Sequence, residues 1–123
     1  MATIMKFLYI AVLCNLIMGG NCELCSVKSL IIKQSATGKL VHGNPEWNVK
    51  IINDCACSQM SVNLDCDGFQ TVEEIDPTIL RKSGIQCLVN GGGPIYGHSN
   101  FSFTYAWSNS FPFRIVFSRV ACA

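Results

Sequence analysis

The cysteines constrain the fold of this chain more than any other feature of its sequence. Two of the eight fall within the first 24 residues, and the other six are spread over the rest of the chain: Cys25, Cys55, Cys57, Cys66, Cys87 and Cys122. An even number of cysteines in a small domain is typical of disulfides formed in an oxidising compartment. We therefore predict that these six cysteines form three intramolecular disulfides and leave no free thiol.

Cys55-Ala56-Cys57 is the most informative pair among them. Residues two apart in an extended strand point to the same face, so each sulfur is expected to bridge to a different distant strand. A metal site or a redox pair is the alternative reading. Thiolate metal sites, however, usually have Cys-x-x-Cys spacing or added histidine ligands, and the only histidines are His42 and His98. Structural disulfides are therefore favoured.

The amino-terminal segment has the composition of a cleavable signal peptide. Lys6 precedes an apolar run over residues 7–18, which small and polar residues follow. This order is typical of secretory signals, and the run is shorter than the roughly 20 apolar residues of a membrane helix. We expect residues 1–22 to be removed, with cuts two or three residues earlier as alternatives. Residues 23–123 are then a secreted cysteine-rich β-domain, released outside the cell.

The charge balance of this domain excludes several classes of partner. With the signal set aside, eight basic residues stand against eight acidic ones. No basic stripe indicates nucleic-acid binding, and no second apolar run is long enough for a membrane helix. We expect a monomer with no nucleic-acid partner and no stable membrane insertion after signal cleavage.

Alternation of apolar and polar residues with a period of two predicts several half-buried strands. Trp47, Val49 and Ile51 alternate with polar residues, and residues 30–32 form an earlier strand with apolar groups on both faces. Three later segments follow the same pattern: Met60, Val62, Leu64 and Cys66; Phe101, Phe103, Tyr105 and Trp107; and Phe113, Ile115 and Phe117, where Val116 breaks the alternation. Five to seven such strands predict an all-β fold, a disulfide-stabilised antiparallel β-sandwich.

One short helix is expected within this fold. Asp76 can cap it, Pro77 suits its first turn, and Gly84 stops it. A disulfide hypothesis also depends on the order of the strands. If the first and last strands are antiparallel neighbours, Cys25 and Cys122 lie within bridging distance, which is about 4.4–6.8 Å between Cα atoms.

The remaining motifs do not support catalysis or cofactor binding. Asp65-Cys66-Asp67 matches the Asp-x-Asp pattern of metal-dependent glycosyltransferases, but such enzymes need a much larger nucleotide-binding domain. Residues 91–93 are three glycines without the Lys-Ser/Thr and helix of a phosphate loop. No nucleophile, base and orienting group occur together. We therefore predict that the chain is not an enzyme and has no catalytic residues, cofactor or metal site.

Two features remain as candidates for other roles. The aromatic residues of the predicted strands are interpreted as core, with Tyr96 and Trp107 as the exceptions because both lie near strand ends and turns. A carbohydrate-stacking platform is the alternative for this row. Asn100-Phe101-Ser102 is an N-glycosylation acceptor motif at the start of a predicted strand, which makes Asn100 a candidate glycosylation site.

Several longer segments occur in a fixed order between Cys25 and Cys122. They are Ile32-Lys33-Gln34, Gly43-Asn44-Pro45-Glu46-Trp47-Asn48-Val49, Asn53-Asp54-Cys55-Ala56-Cys57, Leu64-Asp65-Cys66-Asp67-Gly68-Phe69, Ile75-Asp76-Pro77, Cys87-Leu88-Val89-Asn90-Gly91 and Phe103-Thr104-Tyr105-Ala106-Trp107. In this order, and with the six cysteines, the chain resembles the plant tapetum determinant family of small secreted signalling proteins.

The resemblance implies a ligand for a leucine-rich-repeat receptor kinase ectodomain. It also implies a role in plant cell-fate specification, chiefly of the tapetum in the anther. A secreted carbohydrate-binding or cell-wall-associated module is the alternative function. The residues that contact a receptor are not predicted by the sequence.

Overall fold

Seven β-strands make up most of the structure, a computed structural model that describes residues 25–122. The predicted signal peptide, residues 1–22, lies outside the described residues. In chain order the strands are β1 (Leu30–Val41), β2 (Asn44–Asn53), β3 (Ser58–Asp65), β4 (Leu80–Ser83), β5 (Gln86–Val89), β6 (Asn100–Ala106) and β7 (Arg114–Ala121). Short 3-10 turns at Val27–Ser29 and Asn90–Gly92 are the helical elements of the described range.

The strands form two antiparallel sheets that pack face to face. Sheet A has the order β1-β2-β6, and sheet B has the order β4-β5-β3-β7. One cluster of buried side chains draws on both sheets, including Val49 and Phe103 from sheet A and Val62 and Leu64 from sheet B. Each sheet thus buries one face against the other. The prediction of an all-β antiparallel sandwich is confirmed.

The predicted helix between Asp76 and Gly84 is wrong. Asp76 does begin a turn, since its carboxylate accepts a hydrogen bond from the Thr78 amide and its carbonyl accepts from the Ile79 and Leu80 amides. The chain then extends at Leu80, whose side chain is buried, because β4 pairs along its whole length with β5. Pairing and burial therefore outweigh the local helix signals.

All six described cysteines are paired in disulfides. The pairs are Cys25–Cys55, Cys57–Cys122 and Cys66–Cys87, with Cα separations of 5.7, 4.8 and 5.9 Å. The hypothesis of a Cys25–Cys122 bridge is therefore wrong. The first and last strands, β1 and β7, belong to different sheets and so are not antiparallel neighbours.

The first half of β3 departs from the predicted alternation. Gln59 is fully buried, whereas Met60 is only half-buried. The shift is caused by an irregularity in the pairing of β3 with β7 after Met60, where Ser61 has a left-handed backbone with a φ of 50°. Buried Gln59 is satisfied by hydrogen bonds with Asn53 and with the Ser118 hydroxyl.

The connection between β6 and β7 is held by a buried tyrosine. Tyr105 donates a hydrogen bond to Gln34 Oε1 and accepts one from the Phe111 amide, both at 2.6 Å. Burial raises the pKa of this phenol, so it stays protonated and can donate. Phe69 and Phe113 pack edge-on or tilted against the Tyr105 and Phe111 rings. The aromatic row predicted as core is buried at this point.

Candidate interaction surface

One row of paired residues crosses all four strands of sheet B. Arg81 of β4 pairs with Leu88 of β5, Leu88 pairs with Asn63 of β3, and Asn63 pairs with Phe117 of β7. The chain neighbours of Leu88 and of Asn63 are buried in the core. Because successive side chains of a strand alternate between faces, the row lies on the outer face of the sheet.

Phe117 lies on this outer face because β7 has one extra residue between two neighbouring positions at which it pairs with β3. Leu64 pairs with Ile115 and the preceding Asn63 pairs with Phe117, so Val116 has no partner of its own. Such a bulge shifts the alternation by one residue. Ile115 packs against the core, whereas Phe117 is 51% exposed. The expectation that Phe117 lies on the same face as Ile115 is wrong. The break in the apolar–polar alternation at Val116 is the sequence feature that indicates this bulge.

A second pair of residues, one from β3 and one from β7, adds an apolar and a basic side chain to this face. Met60 and Arg119 are paired residues of β3 and β7. Arg119 is exposed and Met60 is half-buried. We call the resulting surface the sheet B outer face and define it by six residues: Met60, Asn63, Arg81, Leu88, Phe117 and Arg119.

The charge of this surface is positive. Neither Arg81 nor Arg119 forms an ion pair with any residue of the described range, and both are exposed. One row further on, Arg114 donates to Asp65 at 2.9 Å, so that acidic group is already matched by a basic one. Aromatic and arginine side chains are the residues that most often dominate protein–protein contacts. The arrangement therefore suits a partner surface that is apolar and acidic.

The two carboxylates of the Asp-x-Asp pattern do not converge on a common point. Asp65 ends β3, bridges to Arg114, and accepts a hydrogen bond from the Asp67 amide. Cys66 between them is fully buried in its disulfide with Cys87. The pattern is thus a strand end with one carboxylate in an ion pair and the other in solvent.

Three sulfurs lie close together where the Cys55–Cys57 segment connects β2 to β3. The Sγ atoms of Cys25, Cys57 and Cys122 are all within 4.8 Å of one another. Each belongs to a disulfide, and a disulfide sulfur is not the thiolate that binds metals. Cys55 and Cys57 bridge to different partners, as predicted, although they lie in a connection between strands and not in a strand.

The aromatic row, predicted as core with a carbohydrate-stacking platform as the alternative, is largely buried. Phe103 and Tyr105 are core residues, and Trp47 is half-buried with its ring nitrogen donating to the carbonyl of Trp107. Tyr96 is 64% exposed, as predicted for one of the two exceptions. Trp107, the other exception, is half-buried against the core.

Two acidic residues, the buried Glu46 and the half-buried Glu73, lie where the connection between β3 and β4 is fastened to sheet A. Glu46 is 7% exposed and accepts a hydrogen bond from the Thr37 hydroxyl, while Glu73 accepts one from the Thr104 hydroxyl, both at 2.8 Å. The Thr37 bond is the main cause that lowers the pKa of Glu46. Burial is the main cause that raises the pKa of Glu73, and nearby Glu46 adds to it. Glu73 Oε1 is buried without a hydrogen-bond partner among the described residues, which disfavours the charged form of this carboxyl.

Asn100 is the first residue of β6 and is exposed. Within residues 25–122 the structure has no helix with the length and hydrophobicity needed to cross a bilayer.

The known proteins to which this chain is similar carry related names. The chain is 36% identical over 100 residues to "TPD1 protein homolog 1B" of Oryza sativa subsp. japonica, which covers 80% of this chain and 58% of that protein. It is 32% identical over 101 residues to "TPD1 protein homolog 1" of Arabidopsis thaliana, which covers 80% of this chain and 55% of that protein. The chain thus spans about half the length of the curated relatives it matches. No solved structure matches it.

The family model agrees with these relatives. The model described as "Tapetum determinant 1, C-terminal" matches residues 26–123, which include every strand and the sheet B outer face. The chain therefore belongs to the tapetum determinant family.

Proposed function

We propose that this protein is a secreted signalling ligand that binds the ectodomain of a leucine-rich-repeat receptor kinase in plant cell-fate specification, with anther and tapetum development as the setting. Membership of the tapetum determinant family supports this role. Three disulfides in a small domain support an extracellular location. On this proposal the protein acts by binding, without a catalytic group.

The observation that carries the proposal is the sheet B outer face. A half-exposed Phe117 stands among Leu88, Met60 and two unpaired arginines on a paired, disulfide-anchored sheet. Side chains held in place before binding lose little conformational entropy on docking. A paired sheet that presents an aromatic side chain beside an arginine on its edge strand β7 is therefore suited to act as the receptor contact.

The test is a binding screen of the folded protein against purified leucine-rich-repeat ectodomains. We expect at least one ectodomain to bind, and Phe117→Ala to weaken that binding about 30-fold or more, as for an aromatic hot-spot residue. Adding Arg119→Ala to Phe117→Ala should weaken the binding of the ectodomain further. Leu40→Ala is the matched control because Leu40 is an exposed apolar residue of β1, in the other sheet.

Two results would contradict the proposal in different ways. If no ectodomain binds although the protein is folded and disulfide-bonded, the assignment as a receptor ligand is wrong. If an ectodomain binds and Leu40→Ala weakens that binding as much as Phe117→Ala does, the assignment of the contact face is wrong.

The carbohydrate-binding alternative is weaker on the same geometry. Of the six aromatic residues considered for a platform, only Tyr96 is more than half exposed. Binding to cell-wall glycans usually needs several exposed rings, so one tyrosine offers little surface. A pull-down on wall polysaccharides, run beside the ectodomain screen, separates the two functions.

A further inference from the structure

The outer face of sheet A contains the acceptor motif Asn100-Phe101-Ser102. Asn100 begins β6, an edge strand of the sheet, and Asn100 and Ser102 are both exposed. Phe101, between them, is partly buried against the core, so the two polar side chains point outward together. Asn100 has no side-chain hydrogen bond to any residue in the described range, so its amide is available in the folded protein.

An apolar strip lies directly beside this asparagine. Asn100 pairs with Ile52 of β2, and Ile52 pairs with Ile31 of β1, so the three side chains form one row across sheet A. Ile31 is 38% exposed and Ile52 is half-buried, although neither faces the core. The next row on the same face is polar, with Lys33 paired to Lys50.

We infer that Asn100 carries an N-linked glycan and that this glycan covers the Ile31–Ile52 strip. Opposite side chains in a sheet are about 5 Å apart, so the first sugar attached to Asn100 lies against Ile52. A glycan is bulky and solubilising. Its presence accounts for an apolar row that would otherwise lie open to water at a sheet edge.

The chemistry is a transfer without oxidation or reduction. The Asn100 side-chain nitrogen forms a bond to the anomeric carbon of the first N-acetylglucosamine. The bond from that carbon to the pyrophosphate of a lipid-linked oligosaccharide breaks, and the lipid pyrophosphate leaves. The amide gives up one proton to the medium. The lipid-linked oligosaccharide is the co-reactant and is supplied in the secretory pathway.

This inference rests on the secretory route of the proposed function and deepens it. A glycan on sheet A leaves the sheet B outer face, on the other side of the sandwich, as the open surface. The two faces of one small domain would then have separate roles, with one shielded and the other free to dock.

The first experiment tests the attachment. The full chain is expressed in eukaryotic cells with an established secretory leader added in front, so that entry into the pathway is assured. We expect the secreted protein to exceed its polypeptide mass by a glycan that peptide N-glycosidase removes, which converts Asn100 to aspartate. Asn100→Gln and Ser102→Ala should abolish the added mass, and Ser102→Thr should keep it. Secreted, disulfide-bonded wild-type protein with an unmodified Asn100 would overturn the inference.

The second experiment tests the coverage. Amine acetylation of Lys50, which lies diagonally across from Asn100, is compared between the glycosylated protein and an unglycosylated Asn100→Gln variant, which keeps a neutral amide as the glycosylated asparagine does. We expect Lys50 to react several-fold faster without the glycan, while Lys82 of sheet B reacts equally in both. Equal Lys50 rates would show that the glycan leaves this face open. Neither result depends on receptor binding, so the proposed function can fail or hold separately.

Discussion

The three disulfides do not contribute equally to stability, and burial decides which one matters most. Two double variants make the comparison: Cys66→Ala with Cys87→Ala, and Cys57→Ala with Cys122→Ala. Both sulfurs of the first pair belong to fully buried residues, whereas Cys57 is half-buried and Cys122 is exposed. Both variants remove one cross-link and leave the other two in place.

The entropy of the unfolded chain alone predicts the opposite order. The Cys57–Cys122 bridge closes 65 residues and the Cys66–Cys87 bridge closes 21. These loops correspond to about 4.3 and about 3.3 kcal/mol of stabilisation in the loop-entropy relation. Removing each buried sulfur of Cys66 and Cys87 costs at least about 1 kcal/mol more in lost burial and in the cavity left behind. The total for the buried pair is about 5 kcal/mol, so its loss is the larger one.

Urea unfolding followed by tryptophan fluorescence measures the difference. Trp47 and Trp107 report on sheet A and on the end of β6, and the free energy of unfolding is extrapolated to water. We expect the Cys66/Cys87 variant to be less stable than the Cys57/Cys122 variant by about 1 kcal/mol. If it is equally stable or more stable, chain entropy outweighs burial and the reasoning is wrong.

Three further changes have defined outcomes. Replacing Asp65 and Asp67 together by Asn should lower the free energy of unfolding by less than about 1 kcal/mol, because the bridge to Arg114 is largely exposed; a larger loss in urea unfolding would show a structural role for the pair. Glu73→Gln should make stability less dependent on pH. Because burial raises the pKa of Glu73 above its ordinary value of 4.5, its contribution is full below pH 4.5 and is lost as pH rises through the raised value. Wild-type stability should therefore fall over this range relative to the variant, and parallel pH profiles would contradict the assignment. Gly97→Ala should destabilise the fold by about 1–3 kcal/mol, since the added Cβ overlaps the backbone carbonyl of Ala56; an unchanged thermal midpoint would show that the backbone yields there.

The parts of the fold that depend on alternation could be predicted from the sequence. Val49 and Ile51 face the core because they alternate with polar residues in a strand that is covered on one face. The predictions fail where strand pairing, and not the local alternation of apolar and polar residues, determines which side chain is buried. Gln59 is buried in preference to Met60, and the hydrogen bonds that satisfy it come from Asn53 and from a residue of β7. No local signal in β3 could indicate that distant partner.

Less of the sheet B outer face than of the fold could be predicted from the sequence. Phe117 reads as a core residue by periodicity, and a bulge opposite β3 turns it outward. Arg81 falls within the helix predicted between Asp76 and Gly84, and the pairing of β4 with β5 places it beside Leu88 instead. A surface built from four strands depends on register, and register is set by contacts between segments that are distant in sequence.

The disulfide pairing also depends on contacts between segments that are distant in sequence. It explains how the two ends of the described chain are held. The sequence suggested that Cys25 and Cys122 meet, and their sulfurs do lie within 4.8 Å of each other. They do not bond because the connection between β2 and β3 lies between them and offers a cysteine to each, Cys55 to the first and Cys57 to the last. Both ends of the described chain are thereby tied to the point where it crosses from sheet A to sheet B. Because fraying usually starts at free ends, this double attachment keeps β7, and with it Phe117, in register on the outer face of sheet B.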